Sequence, residues 1–360
     1  MRIGVPTELK TDEFRVALTP TAVESLTSGG HQVMVENRAG WGSYFSNQDY
    51  EAAGATILDQ AAEVWAESDL IVKVKEPQDS ELSLLKSGQI LFTYLHLAAY
   101  PQVAEALCRS GAIGLAYETT RLPNGALPLL APMSEVAGRM AAQVGARFLE
   151  KSGGGRGVLM GGVPGVPPAR VAIIGGGLAG SNALRVATGM GADVTVFDLN
   201  PARLRELDSI YGGAITTAMA HRADVRAAVL EADLVIGAVL LPGARAPRVL
   251  TAADVSDMKA GAVVVDIAID QGGCFETSRE TTHSNPTYIL DEVVHYAVGN
   301  IPGAVPRTST FALVNATLPY IRLLADQGLD QAMVLRPELA EGLNVRDGRV
   351  TNDAVRSALE

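Results

Sequence analysis

Cysteine is scarce in this chain of 360 residues: Cys108 and Cys274 are the only two. Two cysteines cannot build a disulfide framework, and these lack metal-ligand spacing, so they read as reduced thiols of a cytoplasmic protein. Positive charge is also in deficit, with 29 Lys and Arg against 40 Asp and Glu and a net charge of −11. That balance argues against a nucleic-acid partner, which wants a basic face. No uncharged apolar run reaches the roughly 18 residues of a membrane span, and the start, MRIGVPTELK, has no apolar core of the kind a signal peptide needs. No repeat of solenoid period is visible. What remains is 48% hydrophobic and 19% charged, a globular composition long enough for two domains of ordinary size.

The most informative stretch is Arg170 to Asp198, RVAIIGGGLAGSNALRVATGMGADVTVFD. Val171 to Ile174 is short, apolar and β-branched, as a buried strand should be. Gly175, Gly177 and Gly180 follow in G-x-G-x-x-G spacing. Leu178 to Met190 reads as a helix that Gly191 stops, and Ala192 to Phe197 is a second strand ending on Asp198. Gly175 permits a tight turn, Gly177 lets the backbone approach a pyrophosphate, and Gly180 lets helix and strand pack closely. The helix N-terminus offers unpaired N–H groups and a positive dipole end to phosphate. Asp198, 18 residues past Gly180, is placed to accept hydrogen bonds from the adenosine ribose. Its charge opposes a 2′-phosphate, which favours NAD over NADP.

Upstream, strands are expected at 2–5, 33–35, 69–74, 90–94 and 112–116. Helices are expected from Thr19-Pro20 to Ser28, at 47–53, at 61–67 and at 101–109. This alternation implies a mainly parallel sheet with crossovers, an α/β domain without the glycine fingerprint. A long helix follows from Ser134, a plausible N-cap, to Lys151. The Gly- and Pro-rich stretch after it carries Val158, Leu159, Met160 and Val163 as apolar anchors, so an ordered loop is expected. Past Asp198, helices are expected at 201–211, 225–231 and 252–258, and strands at 215–217, 234–236, 263–265, 288–290 and 295–298. A long helix from Thr308 to Gln327 is expected to kink at Pro319. A short helix closes the chain at 353–359, where the chain is expected to return to the first domain.

Ligands of open α/β sheets bind beyond the carboxyl ends of the strands. That rule picks out Lys75 after Val74, His96 after Tyr94, Asp270 after the 263–265 strand, Arg15 after the first strand, and Asn300 in an Asn-Ile-Pro-Gly turn. Arg gives bidentate contact to a carboxylate and Lys a movable charge. His exchanges protons near neutral pH, and an aspartate stabilises a developing cation. Each also has a bland reading: His96 as a core histidine, Lys75 as the partner of Glu76, Arg15 as the partner of Asp12 and Glu13, Asp270 as a turn former. Cys274 has no thiolate-stabilising pattern around it and reads as inert. His31, His221, His283 and His295 take the structural or surface reading.

Beyond these positions, the chain resembles the bacterial NAD-dependent alanine dehydrogenases. The likeness rests on MRIGVPTELK with Arg15 after it, KVKEP at 73–77, LFTYLHLA at 91–98, MSEVAGRMA at 133–141, GGVPGVPPA at 161–169 and the glycine fingerprint. IGAVLLPGARAP at 236–247, DIAIDQGG at 266–273 and VGNIPGAVPRTST at 298–310 complete it. The resemblance implies an α/β fold of two Rossmann-like doubly wound domains with a cleft between them. A substrate domain, 1–129 joined by a return at 308–360, would accompany an NAD-binding domain at 130–307. It implies reversible oxidative deamination of L-alanine to pyruvate and ammonium with NAD, in a cytoplasmic homohexamer with no membrane or nucleic-acid partner. Arg15, Lys75 and Asn300 would bind substrate, with His96 as general acid/base and Asp270 stabilising the cationic intermediate and activating water. The cofactor would be lined by Ser134, Gly175, Gly177, Leu178, Ala179, Gly180, Asp198, Arg203, Val239, Leu240, Ile267 and Arg279, and by the turn Val298, Gly299, Asn300 and Ile301.

The chain departs from that pattern at three places. Ala220-His221 stands where the family often carries serine, which removes one hydrogen bond on the adenosine side. Ile301 replaces the usual Met, a swap of similar volume. Leu323 and Gln327 occupy a region where some members bind a metal, so no metal is expected. The soluble part of a proton-pumping transhydrogenase, a saccharopine-type dehydrogenase and a non-catalytic NAD-binding regulator are the alternatives. Lys75 and His96 at strand ends favour the dehydrogenase.

Overall fold

The computed structural model describes residues 1–239 and 246–359. The chain divides into two compact units, Met1–Met133 with Val305–Glu360, and Ser134–Ala304. In the first unit, strands β1 (Arg2–Val5), β2 (Gln32–Glu36), β3 (Thr56–Leu58), β4 (Leu70–Val72), β5 (Ile90–Thr93) and β6 (Ile113–Ala116) lie in the order 3-2-1-4-5-6. All five pairings are parallel. The central strands are buried along their whole length, as in β4 and β5, because helices cover both faces of a parallel sheet. The helix Pro20–Ser28 starts as its sequence dictates: the Thr19 hydroxyl accepts the Ala22 N–H, proline occupies the first turn, and Gly29 ends it. Strand β3 was not expected. Thr56 is exposed and its neighbours only half-buried, so this edge strand shows no apolar alternation.

The second unit contains β7 (Arg170–Ile174), β8 (Asp193–Asp198), β9 (Thr216–Met219), β10 (Leu234–Gly237), β11 (Val263–Asp266), β12 (Thr287–Leu290) and β13 (Val293–Tyr296). Their order is 9-8-7-10-11-13-12, and every pairing is parallel except β12 with β13. The strand order reverses at β7, so β7 and β10 flank the switch point where doubly wound sheets bind ligands. β14 (Leu343–Arg346) and β15 (Arg349–Val350) belong to the first unit. β14 pairs antiparallel with β6 and completes an eight-stranded sheet.

Three local expectations need correction. The helix expected to start at Ser134 runs Ala131–Leu149. Pro132 suits a first turn because its missing N–H would have no partner there, and Ser134 lies inside the helix rather than capping it. The helix Pro306–Leu335 leaves helical dihedrals at Gly328 (φ 74°, ψ 168°) and not at Pro319. A proline can keep helical φ while losing one hydrogen bond, whereas glycine reaches positive φ without strain. In the loop after Leu149, Met160 is buried but Leu159 and Val163 are exposed. Order there comes from a small hairpin in which Val163 and Val166 exchange main-chain hydrogen bonds.

Candidate active site

In the second unit, the carboxyl ends of β7, β8, β10, β11 and β13 carry the residues singled out for a dinucleotide. Gly175 adopts φ +102°, a conformation that side chains rarely tolerate. A Cβ on Gly180 would lie 1.7 Å from the Gly175 carbonyl oxygen, so only glycine lets the helix Leu178–Gly189 start this close to β7. A Cβ on Gly177 would meet nothing within 4 Å. Gly177 is the exposed helix N-cap and supplies no side-chain acceptor, so no cap side chain competes with a phosphate for the first-turn N–H groups. The residues present therefore fit a dinucleotide.

Asp198 ends β8. One of its oxygens accepts the Gly176 N–H at 2.8 Å and the other the Asn200 N–H at 2.8 Å, which aims the carboxylate along the glycine turn. Arg203 donates to the Gly176 carbonyl at 2.6 Å and pairs with Glu206 at 2.6 Å. Ser134 sits one helical turn before Gly138, whose Cβ would lie 2.1 Å from the Ala179 carbonyl oxygen. Val239 and Ile267 follow β10 and β11, and the Ile267 N–H donates to the Gly237 carbonyl at 3.0 Å. Leu240 lies outside the described residues.

Asp270 lies in a short 3-10 turn after β11. Both its oxygens accept the Asn300 N–H, at 3.2 and 3.4 Å. Asn300 has φ +64°, and its carbonyl lies 3.1 Å from His283 Nε2, so the Val298–Ile301 turn is held from two sides. Buried Asp266 accepts the N–H groups of Ala268 at 3.0 Å and Cys274 at 2.9 Å, closing the loop that carries Asp270. Burial first, and then Asp266, push the Cys274 thiol well above its ordinary range, so it is inert.

In the first unit, the strand-end residues are buried among acids. Glu8 accepts the N–H groups of Val74 at 2.6 Å and Lys75 at 3.2 Å, and Thr93 donates to the Lys75 carbonyl at 2.8 Å. Lys73, fully buried, lies 3.3 Å from Glu8 and 2.9 Å from Glu81. The main chain of Lys75 is thus fixed while its ammonium stands in the field of Glu13 and Glu76. Arg15 is buried, donates from Nε to Glu13 at 2.7 Å, pairs with it again through Nη2, and points Nη1 at Met133 Sδ at 3.0 Å. A thioether is a weak acceptor, so a carboxylate displacing it would gain a charge-assisted bond.

His96 takes a left-handed backbone, φ +48°, uncommon for a residue with a side chain. Glu118 holds it there, accepting the N–H of His96 at 2.6 Å and that of Leu95 at 3.2 Å. Nδ1 lies 4.0 Å from the same carboxylate, and the ring stacks on Tyr94 with centroids 5.8 Å apart. Tyr94 is itself anchored by donating to the Leu129 carbonyl at 2.6 Å. The pairing of Arg15 with Glu13 is the one its neighbours in the sequence suggest, whereas Glu8 and Glu118 were missed; the strand-end rule would have found Glu118, two residues beyond β6. Among the described residues, no His, Cys, Asp and Glu side chains gather closely enough to hold a metal ion, and no helix is long and apolar enough to cross a membrane.

These features define a two-domain α/β protein with a dinucleotide edge in one unit and, in the other, buried cations and acids and a partly exposed histidine. Residues 4–137 match the family model of the alanine dehydrogenase/PNT N-terminal domain, and residues 141–353 that of the C-terminal domain. The chain belongs to the alanine dehydrogenase/PNT family. It is 56% identical to an alanine dehydrogenase of Mycolicibacterium smegmatis, over 100% of this chain and 97% of that one. It is 54% identical to an alanine dehydrogenase 2 of Staphylococcus aureus with the same coverage. Among solved structures it superposes on an L-alanine dehydrogenase with a TM-score of 0.96 at 50% identity, covering 99% of both chains. It superposes on a transhydrogenase from Sinorhizobium meliloti with a TM-score of 0.84 at 25% identity, covering 98% of this chain and 100% of that one.

Proposed function

We propose that this chain catalyses the reversible NAD-dependent oxidative deamination of L-alanine to pyruvate and ammonium. The likeness to an L-alanine dehydrogenase at twice the identity of the transhydrogenase match supports this reading over the transhydrogenase alternative. The single observation that supports the chemistry is the pair of buried cations Arg15 and Lys75, both in the field of Glu13, with His96 stacked on Tyr94, which lies in the field of Arg15. Two cations suit an α-carboxylate and the neighbouring carbonyl, and a nucleotide regulator needs neither.

In this reading the second unit holds NAD through Gly175, Gly177, Gly180, Leu178, Ala179 and Asp198, with Ser134, Arg203, Val239, Leu240, Ile267, Arg279 and residues 298–301 lining it. When bound, NAD supplies the acceptor for the hydride leaving the alanine α-carbon. Arg15 and Lys75 orient the carboxylate and the developing carbonyl, with Asn300 a further substrate contact. Loss of hydride leaves a cationic imine, which Asp270 stabilises. His96 removes the proton of the attacking water and returns a proton as the carbinolamine collapses, releasing ammonium.

We also propose that the protein acts as a cytoplasmic homo-oligomer, a hexamer by its resemblance. Trp41 and Tyr44, both exposed on one short 3-10 turn, support association of copies, and sedimentation equilibrium measures it. The reaction is tested by following NADH absorbance with alanine against glycine, serine and lysine. Turnover of alanine above the others is expected. NAD binding without turnover of any amino acid would favour the regulator.

A further inference from the structure

Strands β12 and β13 form an antiparallel edge of the second unit's sheet, and Tyr288 and His295 are direct cross-strand partners in it. Their rings stack with centroids 4.8 Å apart and planes 16° from parallel. The opposite face of Tyr288 carries the Arg279 guanidinium, 4.2 Å from the ring centroid. The Tyr288 hydroxyl donates to the Thr277 carbonyl at 2.7 Å and accepts the Arg279 N–H at 3.0 Å. One tyrosine therefore fixes both the main chain and the side chain of Arg279.

The histidine beneath it is buried, and its two contacts select one tautomer of the neutral ring. Nδ1 lies 3.0 Å from the Val293 carbonyl, which only an N–H can satisfy, and Nε2 lies 2.9 Å from the Thr277 hydroxyl, which donates to it. A neutral imidazole offers its face to Tyr288 without adding a cation near Arg279. The segment is tied in turn to the nucleotide edge: the Thr281 N–H donates to the Ala297 carbonyl at 2.9 Å, and the Gly299 N–H to the Thr281 carbonyl at 3.2 Å. Arg279 is itself exposed, so its guanidinium edge stays available while its face rests on the ring. A cation on an aromatic face keeps its in-plane N–H donors free for an acceptor.

We propose that Tyr288, backed by His295, is a positioning residue that presents Arg279 to the bound NAD(H). This rests on the reading of Arg279 as a cofactor residue. The stack spares the long arginine side chain the rotamer freedom it would otherwise lose on binding.

The experiment titrates the full chain with NADH alone, following nucleotide fluorescence, for the wild type, Arg279→Met, Tyr288→Leu, Tyr288→Phe and the double variant Arg279→Met/Tyr288→Leu. Tyr288→Leu is expected to weaken NADH binding by about three- to tenfold, the range of a cation–aromatic contact. Tyr288→Phe keeps the ring and most of the affinity. The double variant binds no worse than Arg279→Met, because Tyr288 acts only through Arg279. In turnover, KM for NAD rises while kcat at saturating NAD and KM for alanine hold. Wild-type affinity in Tyr288→Leu, or additive losses in the double variant, overturns the positioning role alone. Wild-type affinity in Arg279→Met overturns the cofactor assignment of Arg279 and the positioning role with it. Should Tyr288→Leu fail to fold, progressively fluorinated phenylalanines at 288 keep the shape and drain the ring face. Affinity should then fall stepwise with fluorine count, and a flat series overturns the proposal.

Discussion

The Glu118 carboxylate accepts the main-chain N–H of His96 at 2.6 Å and that of Leu95 at 3.2 Å. Those bonds hold His96 at φ +48°, a backbone that costs on the order of 1 kcal/mol or more for a residue with a side chain. Replacing Glu118 by Ala removes charged acceptors worth about 1.5–3 kcal/mol each and lets the His96 backbone relax. The expected result is a fall in kcat for alanine of about ten- to a hundredfold, with NADH affinity unchanged. Glu118→Gln, which still accepts, should lose less. Steady-state kinetics beside NADH titration checks this, and wild-type kcat in Glu118→Ala would show that the clamp does not serve the histidine.

Glu13 and Arg15 form a buried pair that makes the fold sensitive to acid. Burial alone would push the Glu13 carboxyl up, but the charge and hydrogen bonds of Arg15 outweigh it and bring the group down to about 2. A carboxylate depressed in the folded state contributes stability above its unfolded value, 4.5, and loses it as pH falls through the folded value. Urea midpoints should therefore drop between pH 4.5 and 2, and less steeply in Glu13→Gln. At neutral pH, Glu13→Ala strands a buried guanidinium and should cost about 3–5 kcal/mol. A midpoint shift under 1 kcal/mol, on the order of a surface pair, would contradict the pair's importance.

The architecture was legible because its signals are local. G-x-G-x-x-G spacing, β-branched runs and Thr19-Pro20 each announce an element within a few residues. Glu13 was legible beside Arg15, two residues away, but Glu8 and Glu118 were not, because their partners are remote in the chain. Glu8 meets Val74 and Lys75, and Glu118 meets Leu95 and His96, pairings set by which strands lie side by side. Ser134 misled because a serine before an apolar run resembles an N-cap, while Pro132 had already started the helix. Pro319 misled for a related reason: proline weakens a helix, but Gly328 is where the chain leaves it.

His295 gives a second pH dependence of the same sign in a different window. Burial holds its imidazole below the ordinary value of 6.5, although the Val293 carbonyl pulls the other way. Below 6.5 the unfolded chain binds a proton that the folded chain resists, so stability rises with pH through that window and is lost on acidification. Melting temperature from pH 7.5 to 5 should fall further in the wild type than in His295→Gln, which hydrogen-bonds without titrating, by about 2 °C or more. Parallel curves for the two proteins would mean that His295 protonates freely in the folded state.

In the proposed reading Asp198 selects NAD, because its carboxylate would repel a 2′-phosphate. Its two oxygens each take one main-chain N–H, from Gly176 and Asn200, leaving lone pairs for a ribose diol. Arg203, the nearest candidate to receive a 2′-phosphate, is already shared between the Gly176 carbonyl and Glu206. Asp198→Ser removes the repulsion and also an acceptor, so kcat/KM with NAD should fall about tenfold while that with NADP rises, shifting the ratio by about a hundredfold. Adding Glu206→Gln releases Arg203 and should raise NADP use again. If the NADP-to-NAD ratio of kcat/KM stays at the wild-type value in both variants, discrimination does not reside at Asp198, and the neighbouring main chain must exclude the phosphate by shape.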